Sequence, residues 1–190
     1  MESSALKPRL GISACLLGAE VRYNGGHKES RLCSRTLSDY FDFTPVCPEV
    51  AIGLGIPREP IRLVGDPEQP RAVGTVRREL DVSDALTAYG ERMAEELGGI
   101  CGYIFMQQSP SCGLERVKVY QENGHPSEPR GRGLFAAAWL VGYAAATAEG
   151  GLEALTVGAL TGAFGRIPPL VALPSPSWPL AWASFCLKSP

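Results

Sequence analysis

Short apolar segments that each end in a turn are the feature that most constrains the fold of this chain. Three of them cover residues 10–17, 43–47 and 100–107. Each is too short for a helix of ordinary length but suits a buried strand. Pro48 stops the second segment, and the turn SPSCG follows the third. Short strands that alternate with helical patterns are typical of α/β proteins with parallel sheets.

Helical patterns separate and follow these segments. The clearest covers residues 81–97, where Ser83 can cap the helix and Gly98 and Gly99 can end it. Its apolar side chains form one stripe, which consists of Ala85, Leu86, Tyr89, Met93, Ala94 and Leu97. A shorter helix is predicted over residues 30–41, and a second long helix, rich in small residues, over 131–148.

The remaining segments complete an α/β prediction. Residues 53–79 are rich in Gly, Pro and Arg and predict an ordered loop with one or two short strands. Polar and apolar residues alternate over residues 115–121, which predicts a fourth strand. The order of elements predicts an α/β fold: a single three-layer, Rossmann-like domain with a mostly parallel sheet and a divergent C-terminal tail.

Length and charge restrict the class of protein. The chain has 190 residues, 45% of them hydrophobic, and a formal net charge of −2. These values predict one domain, with or without an appendage, and no general affinity for nucleic acid. A signal peptide and a long apolar span are not evident in the sequence, so we expect a cytoplasmic protein without a membrane partner.

Three of the six cysteines occupy equivalent places. Cys15, Cys47 and Cys112 each lie at the end of a predicted strand or in the loop beyond it. Loops at the carboxyl edge of a parallel sheet converge on one crevice, so these thiols can meet there. Thiolates bind iron–sulfur clusters and zinc. A cluster, a zinc ion with water, a catalytic thiol and ordinary buried cysteines all remain open at this point.

Polar residues beside these cysteines suit catalysis. Glu49 lies two residues after Cys47, where a carboxylate can act as general acid or base or as a weak ligand. Ser109 and Ser111 flank Pro110 next to Cys112 and can bond a substrate, although serines in turns more often bond the backbone. His27, beside a Gly-Gly pair, is expected to be a surface residue rather than a ligand.

At these motifs the chain resembles the thiouracil desulfidase family. The segments ISACLLGAEVRYNGGHK, VCPEVAIGLGIPREPIRL and QQSPSCG occur in this order and are specific together. The segment GRGLFA, residues 131–136, is similar to the start of the closing helix in that family. The resemblance covers roughly residues 8–138.

The resemblance implies a cofactor and a reaction. In the family, three cysteines bind a [4Fe-4S] cluster with one iron free of protein ligands, and they match Cys15, Cys47 and Cys112. The catalytic glutamate and serine of the family match Glu49 and Ser109. The implied reaction converts 2-thiouracil, or a related thiolated pyrimidine, to uracil and sulfide without net oxidation. The implied partners are this small molecule and the cluster-assembly machinery, and the exposed iron implies sensitivity to oxygen.

The resemblance stops near residue 139. We therefore predict a desulfidase-like α/β domain over residues 8–138 and a divergent helix and Pro-rich tail of unknown role over 139–190. This second part contains few charged side chains, namely Glu149, Glu153, Arg166 and Lys188.

Two alternative functions accompany the desulfidase prediction. One is a non-catalytic iron–sulfur or zinc protein that acts as a sensor or sulfur carrier, for which a general acid such as Glu49 is not needed. The other is a desulfidase for thiolated nucleosides or tRNA bases. Arginines between Arg58 and Arg78 keep the second option open, but the near-neutral charge disfavours a stable nucleic acid partner.

Overall fold

The described residues have a mixed α/β fold, with six short strands in two three-stranded sheets. A computed structural model describes residues 7–121, 123–125 and 130–149. The strands are β1 (Arg9–Ser13), β2 (Asp42–Val46), β3 (Ile61–Gly65), β4 (Pro70–Gly74), β5 (Tyr103–Ile104) and β6 (Val119–Tyr120). The α-helices are α1 (Pro48–Ala51), α2 (Ser83–Glu96) and α3 (Leu134–Glu149).

The first sheet is parallel and positions the candidate site. Its order is β2-β1-β5, with Gly11 opposite Thr44 on one side and Tyr103 on the other. Gly11 suits the central strand because a Cβ there would run into the ring of Tyr103. Ile12, the next residue, is fully buried. The three strands therefore direct their carboxyl ends to one edge of the sheet.

The second sheet has the order β4-β3-β6. Strands β3 and β4 form an antiparallel hairpin, whereas β3 and β6 are parallel. Leu63, Ala72 and Val119 have no exposed surface and form a core with Leu86 of α2. The prediction of one or two strands within residues 53–79 is confirmed by β3 and β4.

Helices α2 and α3 pack closely on each other. A Cβ on Gly90 would lie 2.8 Å from the Ala138 Cβ and 2.8 Å from the Phe135 carbonyl oxygen, and one on Gly142 would lie 2.7 Å from the Ala94 Cβ. The small residues of α3 therefore allow a short distance between the helices. The predicted stripe on α2 is buried at Leu86, Met93, Ala94 and Leu97, whereas Ala85 is exposed.

Several sequence predictions are corrected by the structure. The predicted helix over residues 30–41 is a π-helix, Leu32–Thr36, followed by a 3-10 helix, Leu37–Asp39. Ser83 is the first residue of α2 rather than its cap. Its N–H donates to Asp81 Oδ1 over 2.9 Å, and its hydroxyl accepts the Ala72 N–H. An acidic side chain two residues earlier thus satisfies an orphan N–H of the helix.

The α/β class with parallel pairing is confirmed, but the described strands form two sheets rather than one. The hairpin of β3 and β4 pairs with β6, so it forms a sheet separate from β1. The three-layer, Rossmann-like arrangement stays a prediction. Within the described ranges, no helix is both long and apolar enough to cross a membrane.

The predicted boundary at residue 138 falls inside α3. Trp139 and Tyr143, which follow it, are 2% and 6% exposed and belong to the core cluster around Phe135. Most of the predicted tail, residues 150–190, lies outside the described residues. The division into residues 8–138 and 139–190 stays a prediction. It can be tested at Trp139, because this buried residue lies on the far side of the predicted boundary.

Candidate metal centre

Cys15 and Cys47 lie just beyond the carboxyl ends of the adjacent strands β1 and β2. Cys15 is in the 3-10 helix Ala14–Leu17, which begins directly after β1. Cys47 follows β2 and is the N-cap residue of α1. Since Ser13 and Val46, the last residues of the two strands, are opposite each other, both cysteines are at the same edge of the sheet.

Cys112 comes to this edge from the turn after β5. The Met106 N–H donates to Ser13 Oγ over 2.9 Å, which joins the segment after β5 to the end of β1. The first turn of α3 holds the SPSCG turn from the other side, because the Leu134 N–H donates to the Pro110 carbonyl. Cys112 itself is buried. The structure therefore brings the three predicted ligands to one edge.

The three thiols influence one another electrostatically. Burial raises the pKa of Cys15, and the nearby Cys47 raises it further. Burial also raises the pKa of Cys47. The pKa of Cys112 rises to about 12, mainly through burial and with contributions from Glu49 and Cys47. Ionising such a set together requires a compensating positive charge, which a bound metal supplies.

Polar groups that favour thiolates surround the same three residues. They are the backbone N–H groups of Val50 and Glu49 and the Arg58 guanidinium at Cys47, the Arg22 guanidinium at Cys15, and the Ser13 hydroxyl at Cys112. Each of these groups lowers the pKa of the thiol beside it, against the effect of burial. Donors of this kind around the sulfurs are typical of iron–sulfur sites.

Tyr103 is a residue near the thiols that the sequence analysis missed. Its hydroxyl is buried and has no hydrogen-bond partner among the described residues. Burial raises its pKa well above the ordinary value, and Cys112, Tyr89, Cys47 and Cys15 add to the rise. The charges of all three thiols therefore oppose ionisation of this hydroxyl. A tyrosine in an apolar segment carries no sequence signal for such a place.

Glu49 is held beside the thiols by an arginine and a serine. Its carboxylate pairs with the Arg58 guanidinium at 2.8 Å and accepts a hydrogen bond from Ser111 Oγ over 2.7 Å. The side chain of Glu49 is 13% exposed, and that of Arg58 is 5% exposed. The site thus contains a largely buried, oriented carboxylate, which is what general acid–base catalysis needs.

Ser109 organises the turn that carries Cys112. Its hydroxyl accepts the N–H groups of Ser111 and Cys112 over 3.3 and 3.1 Å. It also lies 3.0 Å from the Ser111 hydroxyl. Through Ser111, the predicted catalytic serine is connected to Glu49. In this arrangement Ser109 bonds its own turn, as serines in turns commonly do.

His27 is outside this set of groups. It is exposed, and its Nδ1 accepts the Glu29 N–H over 3.2 Å. The prediction that it is a surface residue is confirmed. The neighbouring loop returns to the site, because the Lys28 N–H donates to the Cys15 carbonyl over 2.9 Å.

The chemistry of the donor set suits a soft metal centre. Thiolates are the preferred ligands of iron–sulfur clusters and of zinc, and Cys15, Cys47 and Cys112 offer three of them at one sheet edge. In the part of the chain that the structure describes, no three His, Cys, Asp or Glu side chains are grouped closely enough to hold one metal ion.

Comparisons with known proteins identify a family. The model of the 2-thiouracil desulfurase family matches residues 10–149. The uncharacterised protein YbbK of Bacillus subtilis strain 168 is 33% identical over 108 residues, which are 54% of this chain and 71% of YbbK. A solved structure of TudS, a [4Fe-4S]-dependent thiouracil desulfidase, has 30% sequence identity and a TM-score of 0.53. The match covers 71% of this chain and 86% of that one.

Proposed function

This chain belongs to the 2-thiouracil desulfurase family, and on that premise we propose that it is a [4Fe-4S]-dependent desulfidase. The proposed substrate is 2-thiouracil or a related thiolated pyrimidine. The reaction replaces the C=S group by C=O: one water is consumed and one hydrogen sulfide is released, so no electron donor is needed. The observation that supports the proposal most directly is the oriented carboxylate of Glu49 beside three cysteines at one sheet edge.

Cys15, Cys47 and Cys112 are the proposed ligands of the cluster. When bound, the cluster would supply a soft Lewis acid for the sulfur of the substrate. Its three protein ligands leave one iron without a cysteine, so we expect the cluster to be lost in air. Because the thiols must lose their protons, loading would release protons, and we expect the cell to load the site through its cluster-assembly machinery.

Glu49 is the proposed acid–base residue. Its carboxylate would take a proton from the attacking water and deliver it to the departing sulfur, so that both protons of the water leave as hydrogen sulfide. The ion pair with Arg58 orients this carboxylate. Ser109 is the proposed substrate-positioning residue, as the family resemblance implies. A sensor or sulfur carrier would not need this carboxylate, and the pairing of Glu49 therefore favours an enzyme.

The test is anaerobic reconstitution followed by an activity assay. We expect about four irons and about four sulfides per chain, a broad brown absorbance, and uracil formation from 2-thiouracil. Glu49→Gln should retain the cluster and lose at least about 100-fold in turnover, the usual scale for a lost acid–base group. Stoichiometric zinc, or no metal after reconstitution, would contradict the proposal. Uracil formation by Glu49→Gln at the wild-type rate would contradict the role of Glu49.

A further inference from the structure

The two carboxylate oxygens of Glu49 are bonded by different residues, Arg58 nine positions later in the chain and Ser111 62 positions later. Oε2 accepts the Arg58 Nε–H over 2.9 Å and lies 2.8 Å from Arg58 Nη2, which makes the pair bidentate. Oε1 accepts the Ser111 hydroxyl over 2.7 Å. Bonds to both oxygens fix the plane of a carboxylate as well as its position.

Arg58 is itself held on each side of its guanidinium. Nη1 donates to the Gly55 carbonyl over 2.9 Å, and Nη2 donates to the Val21 carbonyl over 3.0 Å. The same Val21 carbonyl lies 3.7 Å from Cys47 Sγ. The guanidinium therefore connects Glu49 to the loop that lies over the thiol of Cys47. A rigid, buried fork of donors orients a carboxylate in a way that a lysine cannot.

The direction of the serine hydrogen bonds follows from the same contacts. A carboxylate paired with arginine accepts hydrogen bonds and donates none, so the Ser111 hydroxyl donates its single proton to Glu49 over 2.7 Å rather than to Cys112 Sγ, which lies 3.7 Å away. In the 3.0 Å contact between the two hydroxyls, Ser109 is then the donor and Ser111 the acceptor. A directed chain thus runs from Ser109 through Ser111 to Glu49, and it starts in the turn that carries Cys112.

We infer that Ser111 and Arg58 are positioning residues for Glu49, which orient its carboxylate for the reaction by binding its opposite oxygens. The inference rests on the proposed function, in which Glu49 transfers the protons. It assigns Ser111 a role through another side chain, separate from the role of Ser109. It also separates Arg58 from the other arginines of residues 58–78, whose described ion pairs, such as Arg77 with Glu59, are more exposed.

The first test is a double-mutant cycle on the anaerobically reconstituted full chain with 2-thiouracil. We expect Ser111→Ala to lower kcat by about 100-fold, the scale of a misplaced catalytic group, with KM and iron content close to wild type. Added to Glu49→Gln, the same change should cost less than about 3-fold, because contacts that act through one group are not additive. Ser111→Thr, which keeps the hydroxyl, should recover most of the activity.

A matched control is Ser38→Ala. Among the described residues, the Ser38 hydroxyl bonds only the backbone carbonyls of Ser34 and Arg35, so its removal should leave kcat and iron content unchanged. Arg58→Lys keeps the positive charge but loses the bidentate guanidinium contact with Glu49. We expect this variant to lower kcat rather than to raise KM. If Ser111→Ala costs the same factor with and without Glu49, or if its loss follows the iron content, the inference is wrong.

A second measurement does not depend on turnover. Infrared difference spectra of the full chain, before and after reconstitution, isolate the carboxylate band of Glu49 by subtracting the Glu49→Gln spectrum. We expect this band to shift in Ser111→Ala and to stay in place in Ser111→Thr. An unchanged band in Ser111→Ala overturns the inference. A shifted band in a protein that forms no uracil overturns only the proposed function, so the two failures are distinguishable.

Discussion

At the scale of single residues, the three thiols differ in the burial that opposes their ionisation. Cys112 is the extreme case, with a pKa raised to about 12 and a side chain enclosed by the core. Cys47 is partly exposed and lies at the start of α1, where N–H groups point at its sulfur. A cluster at this edge would therefore be anchored in the core by Cys112 and approached from the side of Cys47.

Removal of the Cys112 thiol should abolish cluster binding. We expect Cys112→Ala to retain at most a small fraction of the wild-type iron, because a cubane bound by only two cysteines is poorly held. Cys33→Ala is the matched control, since Cys33 is also free and buried but lies in the π-helix Leu32–Thr36. Iron and sulfide analysis after anaerobic reconstitution measures both. Equal iron content in the two variants would remove Cys112 from the ligand set.

Asp81 stabilises the start of α2 in a way that depends on pH. Desolvation raises its pKa, but the hydrogen bonds from Ser83 and the nearby Arg71 outweigh this effect and lower the pKa below the ordinary 3.8. A carboxyl group whose pKa is lower in the folded than in the unfolded state stabilises the folded state at pH values above its unfolded pKa. This contribution is lost as the pH falls through the folded pKa.

Substitution at Asp81 should reveal this dependence. We expect Asp81→Asn to be less stable than the wild type near about pH 7 and the difference to shrink towards about pH 2, as the pH falls through the lowered folded pKa. Urea denaturation at both pH values gives the two free energies of unfolding. Asp39→Asn, at an exposed position in a surface turn, should show little change at either pH. A difference for Asp81→Asn that is independent of pH would exclude the ionised carboxylate as its cause.

At the scale of elements, the contact between the SPSCG turn and the start of α3 determines where Cys112 lies. A Cβ on Gly133 would lie 2.5 Å from the Ser111 carbonyl oxygen and 2.8 Å from the Gly113 nitrogen. Both are backbone atoms, which cannot move away as a flexible side chain does. Only glycine lets the first turn of α3 approach the turn this closely.

Gly133→Ala should therefore displace the turn. We expect a loss of about 1–3 kcal/mol in the free energy of unfolding, the range for overpacked sites, together with a lower iron content. Gly102→Ala is the control, because its Cβ would meet only a Leu10 methyl group at 3.5 Å. Its stability should change by less than about 1 kcal/mol. Urea denaturation compares the two, and equal losses would show that the close contact is not the cause.

At the scale of the whole molecule, α3 closes the core over the first sheet. Phe135, with no exposed surface, and Trp139 pack around Tyr103 and Phe105 of the same cluster, with ring centroids 4.2 to 6.4 Å apart. Trp139 stacks on Tyr143 at 4.7 Å. The aromatic core therefore continues beyond residue 138, as does the family match, which extends to residue 149.

Truncation of Trp139 tests where the domain ends. We expect Trp139→Ala to cost about 3–5 kcal/mol, the scale for deleting a buried aromatic ring. Val141→Ala, on the same helix but 70% exposed, should change stability by less than about 0.5 kcal/mol. Chemical denaturation measures both. Similar small losses would support a domain that ends at residue 138.

The local chemistry of the site was accessible from the sequence. Short apolar segments predicted strands with Cys15, Cys47 and Cys112 at their ends or in the loops just beyond, because burial patterns and turn residues act over a few positions. Glu49 was found by its spacing from Cys47, and the order of the three motifs was enough to indicate the family. Strands β1 and β2, and one or two short strands within residues 53–79, were predicted for the same reason.

Only the tertiary structure decided which distant groups meet. Arg58 was one of several arginines in a loop and Ser111 one of two serines in a turn, and the fold brings both onto Glu49, nine and 62 positions away in the chain. Tyr103 was an apolar-segment residue, and only the fold places its hydroxyl where the charges of the thiols act on it. The division into two sheets and the depth of Trp139 depend likewise on pairing and packing between elements. The periodicity of a sequence indicates which face of each segment is buried. The partner of a given side chain depends on how the segments pack. For this reason the contacts of Arg58 and Ser111 with Glu49 became visible only in the structure.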